Sequence, residues 1–278
     1  MKKTKAGIAL VLWVILLSCI LATPSQLIGR KTAFKDEFNG PNGTAADSSK
    51  WTYEVGGGGW GNQELEYYTN STENGYLDGN GNLAIKAVKL TPPVSLSCWY
   101  GPCQYTSARL VSKGKFDLRS GRFEARIKIP QGQGVWPAFW LLGNNIDTVG
   151  WPQCGEIDIM ENIGREPSTV HGTVHGPGYS GANGISASFN LVNNQAFATA
   201  FHNYALEWSS TEIRWYVDGI LYKTVRPADL PQGGQWVFDH PFFIILNFAV
   251  GGGWPGNPDG TTVFPQTMLV DYVRVYKR

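Results

Sequence analysis

Between Arg122 and Ile129 the chain reads RFEARIKI, which puts Phe123, Ala125, Ile127 and Ile129 on one side of an extended segment and Arg122, Glu124, Arg126 and Lys128 on the other. Period-two alternation marks a half-buried strand, because successive side chains point to opposite faces. The pattern recurs in YALEW and IRWYVDGILYKTV, and FFIILNFAV and MLVDYVRVY add further β-rich runs. Meanwhile 34 glycines and 16 prolines cut the chain into pieces too short for amphipathic helices. Asp218-Gly219, set between two β-rich runs, predicts a tight hairpin. Short strands separated by turns, without helical crossovers, predict an all-β antiparallel sandwich, and 278 residues suit one such domain.

The N-terminus is different. Lys2, Lys3 and Lys5 precede an apolar run from Ala6 to Leu21, and small, turn-prone residues follow. This is the pattern of a secretory signal, assigned to residues 1–22 and followed by a flexible lead-in over 23–32 and a single domain over 33–278. The run is short for a bilayer span, which needs about 20 apolar residues. The mature protein is therefore expected to be secreted and to carry no membrane-spanning segment. Two rival readings stay open: lipidation at Cys19, giving an anchored or periplasmic protein, and an uncut anchor. Export leaves Cys98, Cys103 and Cys154 in an oxidising compartment. Cys98 and Cys103 flank the turn-like WYGP and make the simplest disulfide, while Cys154 reads as a small buried hydrophobe. A net charge of +1 with 16% charged residues excludes a phosphate-neutralising surface, so no nucleic-acid partner is expected. Eleven tryptophans offer flat faces suited to sugar rings.

GEIDIMENIG, from Gly155 to Gly164, sets three acids in a segment with strand character. A helix would spread Glu156 and Glu161 onto different faces. On a strand Glu156 and Asp158 share a face opposite Ile157 and Ile159, but plain alternation sends Glu161 to the isoleucine side. A β-bulge at Ile159-Met160 would return Glu161 to the acidic face, and bulges are common beside active sites. Two carboxyls brought close together are the machinery of a retaining glycosidase, one attacking the anomeric carbon and the other protonating the leaving oxygen. An acid between them would share a proton and let their ionisation states diverge. An exposed polar strand face is the plain alternative. Against it, GVWPAFWLLG puts Trp136 and Trp140 on one face, and VHGTVHG does the same for His171 and His175, like adjacent walls of one groove.

DEFNG, SKWTYEVGGGGWGNQELEYYTN, YTSARL, GRFEARIKIP, GVWPAFWLLG, GEIDIMENIG, TVHGTVHGPGY, IRWYVDG, FFIILNFAVGGGWPG and MLVDYVRVY follow one another across residues 34–276. In this order they resemble bacterial members of glycoside hydrolase family 16, of the laminarinase type. The resemblance implies a concanavalin A-like β-jelly-roll sandwich with a concave substrate groove. It implies Glu156 as nucleophile, Asp158 as its electrostatic partner, Glu161 as acid/base and His175 as an assisting residue. Trp60, Asn62, Arg109, Trp136, Trp140, Asn247 and Trp254 would contact sugar, although packing is an equal reading for Arg109. The bulged E-x-D-x-x-E spacing is the form found in laminarinases and leans toward β-1,3-glucan; the resemblance implies an endo-acting enzyme, and a monomer is expected. Other β-glucan or galactan hydrolases, a transglycosylase or a non-catalytic glucan lectin stay open. No cofactor is implied for catalysis, but a structural calcium is, through Glu37, Gly81 and Asp271.

Overall fold

The computed structural model describes residues 30–277. The expected signal over 1–22, with Cys19, and lead-in residues 23–29 lie outside the described residues. The lead-in ends earlier than expected, because Arg30 is paired with Glu207 at 2.9 Å and a strand begins at Thr32, antiparallel to the C-terminal strand Gln266–Tyr276.

Two antiparallel sheets pack face to face, one of ten strands and one of eight. Their inner faces form the core, in which Phe123, Ala125 and Ile127 from the opening segment are fully buried, as their parity predicts. The eight-stranded sheet runs in the order Ile185–Asn190, Thr169–His175, Glu156–Glu161, Val135–Gly143, Phe242–Val250, Arg109–Val111 and Thr52–Glu54, with Asp117–Leu118 also on Phe242–Val250. FFIILNFAV occupies a central place there and is buried along its whole length. That explains its apolar run, which only Asn247 interrupts, since both its faces are covered. The Asp218-Gly219 hairpin forms, with positive φ at both residues as its turn type requires. One pairing departs from the antiparallel rule: Glu66–Tyr68 runs parallel to Tyr105–Ser107. Among the described residues helix is confined to one four-residue α-helix, Ile146–Val149, and four short 3₁₀ turns. None of these is long and apolar enough to cross a membrane.

Cys98 and Cys103 form a disulfide that closes a small hairpin, and Cys154 is a free, buried thiol. Burial, helped by the nearby Glu156, pushes that thiol up to about 11, so at neutral pH it carries no nucleophilic thiolate.

Candidate active site

The strand Glu156–Glu161 contains the bulge that charge parity demands. Against Val135–Gly143, Asp158 pairs with Trp140 and Met160 with Phe139, which leaves Ile159 without a partner. On the other side Asp158 faces Thr173 and Glu161 faces His171, so Gly172 alone stands opposite Ile159 and Met160. Both extra apolar side chains turn into the core and are buried there. Burying each is worth about 1.5–3 kcal/mol, enough to hold an irregular strand whose opposite face carries three acids. From the other sheet, the Trp215 indole N–H donates to the Asp158 carbonyl at 2.8 Å and fixes the main chain where the register breaks. Gly172 permits this, since a Cβ there would sit 2.6 Å from the Trp215 ring and 2.4 Å from the Tyr222 hydroxyl.

Glu156, Asp158 and Glu161 line a groove of about 360 Å³, together with Trp60, Asn62, Arg109, Trp136, Trp140 and Asn247. His175 Nε2 lies 3.2 Å from Asp158 Oδ2 and 3.7 Å from Glu156 Oε1. The Trp136 indole N–H donates to Glu161 Oε1 at 3.0 Å. Burial first, and then the charge of Asp158, raise the Glu156 carboxyl to about 8. Burial likewise raises Asp158, and burial and the neighbouring Asp158 raise Glu161 well above the usual carboxylate range. Three acids in one desolvated groove cannot all ionise, so protons stay on the cluster at neutral pH. Such a cluster can supply one ionised and one protonated carboxyl at the same time.

The remaining expected contact residues fall into three groups. Trp60, Asn62, Trp136 and Trp140 present side chains to the groove. Arg109 and Asn247 also line it but are largely engaged by the protein. The Arg109 guanidinium sits 4.8 Å from both the Trp60 and Trp140 rings, with its Nε on Glu54. Asn247 accepts from Trp140 Nε1 at 2.7 Å and donates to the Tyr68 hydroxyl at 3.0 Å. These two orient the indole walls. Trp254 lies outside the central groove, edge-on to Trp136 and His171. His171 is bonded to Glu166 at 3.0 Å rather than to the acids.

Sequence reasoning missed Trp151 and Glu64, both in the groove lining. Trp151 is 45% exposed and stands beside His175, opposite the Trp60 end. An indole five residues before Glu156, next to proline in a turn, was the available signal. Glu64 accepts from Asn62 and from the Tyr68 hydroxyl.

Glu37, Gly81 and Asp271 gather away from the groove. Strand Thr32–Asp36 pairs Asp36 with Val273, and strand Leu83–Lys89 pairs Leu83 with Val270, so the ends of both strands meet near Asp271. The Glu37 carboxylate is held by Arg274, and that of Asp271 by Arg126 at 2.5 Å. Main-chain carbonyls there suit calcium, a hard cation that takes oxygen ligands, but Asp271 would have to leave Arg126 to join them.

A family profile described as glycosyl hydrolases family 16 matches residues 62–274. A β-glucanase of Rhodothermus marinus is 45% identical over 239 residues, 83% of this chain and 80% of that protein. The laminarinase catalytic domain of Thermotoga maritima superimposes with a TM-score of 0.83 at 49% identity, covering 90% of this chain and 98% of that one. The endo-β-1,3-glucanase of Pyrococcus furiosus gives 0.81 at 50% identity, covering 89% and 94%.

Proposed function

The chain belongs to glycosyl hydrolase family 16, and from that premise we propose that it is a secreted endo-acting β-1,3-glucanase that cleaves with net retention of the anomeric configuration. The observation that carries the proposal is the bulged strand, which lays Glu156, Asp158 and Glu161 along one groove between indole walls. The relatives named above for action on laminarin or β-1,3-glucan support the substrate.

In the proposed cycle the ionised Glu156 carboxylate attacks the anomeric carbon while Glu161 gives its proton to the departing sugar oxygen. The Trp136 N–H occupies Oε1 of Glu161 and leaves Oε2 to carry that proton. Glu161, now ionised, takes a proton from water, whose oxygen attacks the glycosyl-Glu156 ester and restores both residues. Asp158, with His175 against it, sets the charge felt by Glu156. A calcium bound by the carbonyls of Glu37 and Gly81 and by Asp271 belongs to the same proposal, with a stabilising role and no part in the chemistry. So does export directed by residues 1–22.

The deciding experiment incubates the purified protein with laminarin, lichenan, agarose and carrageenan and follows the first anomer by NMR. Laminarin is expected to be cut fastest, with β-product appearing first. An initial α-product would defeat retention. Tight binding with no cleavage of any polymer would defeat the enzyme reading and leave a lectin.

A further inference from the structure

The loop from Gly56 to Leu65 carries Trp60, Asn62 and Glu64 into the groove, yet little in its own sequence would hold it there. It opens with GGGG, the most flexible backbone available, so ordering it costs more entropy than ordering an average segment. Trp60 and Gln63 adopt left-handed backbone with φ of 48° and 60°, a region costly for bulky side chains. Residues held this way persist only where their surroundings over-determine them. Outside the loop, Gly56 and Tyr68 exchange main-chain hydrogen bonds at 3.0 Å, the Leu65 N–H donates to the Val250 carbonyl, and the Asn62 carbonyl takes the Gly253 N–H at 2.9 Å.

Within the loop, the Gly56 carbonyl takes the Trp60 indole N–H and the Gly59 carbonyl takes the N–H groups of Asn62 and Glu64, while the carbonyls of Gly57, Glu64 and Leu65 are held by a separate element. Between Leu96 and Gln104 the chain makes a two-rung hairpin, Ser97–Cys98 against Gly101–Pro102, with Trp99 and Tyr100 at its tip. The Trp99 main-chain N–H donates to the Gly57 carbonyl at 2.8 Å, and its indole N–H donates to the Glu64 carbonyl at 2.8 Å. The Tyr100 hydroxyl donates to the Leu65 carbonyl at 2.6 Å and accepts from the Gln104 N–H at 2.9 Å. Contact is close enough that a Cβ on Gly57 would lie 2.6 Å from the Cys98 sulfur. A hairpin this short has no stability of its own, and the Cys98–Cys103 disulfide is what closes it.

We propose that the disulfide-closed hairpin 97–103 is a positioning element for substrate binding: through Trp99 and Tyr100 it orders the 56–65 loop and so presents Trp60, Asn62 and Glu64 to the glucan. The inference rests on the glucan reading of the groove only for its effect on substrate. It touches none of the reacting carboxyls, so it acts on KM and leaves kcat in place. Opening the disulfide returns the ordering cost of the loop to the binding step.

The test uses the full chain, oxidised, reduced with dithiothreitol and reoxidised, beside C98S/C103S and Y100F variants. Amide hydrogen exchange is read at Gly56, Asn62, Glu64 and Leu65, and laminarin kinetics are read in parallel. Reduction and the double variant are expected to speed exchange at those amides on the order of tenfold without changing the 156–161 strand. They should also raise KM about tenfold with kcat within about twofold. Reoxidation restores both, dithiothreitol has no effect on C98S/C103S, and Y100F shows a smaller change of the same kind. If C98S/C103S does not fold, reduction of the folded wild type decides. Unchanged loop exchange on reduction overturns the proposal, as does faster exchange with KM unmoved or with the loss in kcat. If the oxidised protein has no action on laminarin, the glucanase reading fails, and the exchange result alone judges whether the hairpin orders the loop.

Discussion

Two clusters of acids, one on each sheet of this molecule, meet opposite electrostatic fates. On the outer, ten-stranded sheet, Glu207 is flanked by Arg30 at 2.9 Å and Arg214 at 2.9 Å and accepts from the Tyr216 hydroxyl. Glu124 is joined to Arg122 at 2.6 Å. Although burial opposes it, the hydrogen bond from Tyr216 and the charges of Arg30 and Arg214 hold the Glu207 carboxyl below its ordinary value. In the groove, Glu156, Asp158 and Glu161 have one another, one imidazole and two indoles for close company, and all three are raised. Local sequence scarcely separates the two settings, since both put acids on alternating strand positions. What separates them is whether each carboxylate has been given a cation. A paired acid contributes to structure; a desolvated acid facing other acids can hold and release a proton near neutral pH.

That contrast can be tested most severely by removing one carboxylate charge from each cluster. E156Q and E161Q are expected to lower kcat on laminarin on the order of 10⁴-fold each while leaving the protein folded. E207Q should leave kcat unchanged, and a kcat loss there comparable to E156Q would erase the distinction. D158N removes the negative neighbour that raises Glu156. The acid limb of the residual kcat/KM profile should therefore move to lower pH, by about one unit. A shift to higher pH would show that Asp158 does not act on Glu156 by charge.

On the stability side, E207Q removes the negative charge paired with Arg30 and Arg214 and is expected to cost about 1–3 kcal/mol in chemical denaturation at pH 7. The groove should behave the other way. Glu156 is raised in the fold, so the native state binds more protons than the unfolded chain between about pH 4.5 and pH 8, and stability falls as pH rises through that window. E156Q should therefore melt above the wild type at pH 8, with the gap closing toward pH 5. An equal gap at both pH values would contradict the raised carboxyl. The smallest effect expected is at Asp271, where a chelator should lower Tm by a few degrees and added calcium restore it, with kcat at low temperature unaffected. No change of Tm would remove calcium from the proposal.

Much of the site was legible because strand parity is a strict rule. Parity alone put Trp136 with Trp140 and His171 with His175, and the failure of parity at Glu161 pointed to a bulge at Ile159-Met160, where the register shift occurs. Trp151 escaped because it lies in a turn, where no periodicity tells which way a side chain faces. Arg109 was offered by the resemblance as a sugar contact, with packing as the alternative, but its place as the filling between Trp60 and Trp140 was not readable, because its two partners come from distant segments. The hairpin at 97–103 was visible as a disulfide candidate, but its target was not. No pattern in WYGP says which carbonyls its donors will meet.

Alternation, turn residues and the spacing of three acids were enough to specify an all-β sandwich, its buried faces and the irregularity in the strand at its centre, since these depend on which way neighbouring side chains point. Only the assembled sheets decided how near His175 stands to Asp158, that the cations go to the outer acids and not to the inner ones, and that a strained glycine-rich loop finds partners for three of its carbonyls in a hairpin. Those outcomes depend on distances between segments remote in sequence, and it is such distances, through desolvation and Coulomb interaction, that set the charge state of a buried carboxyl.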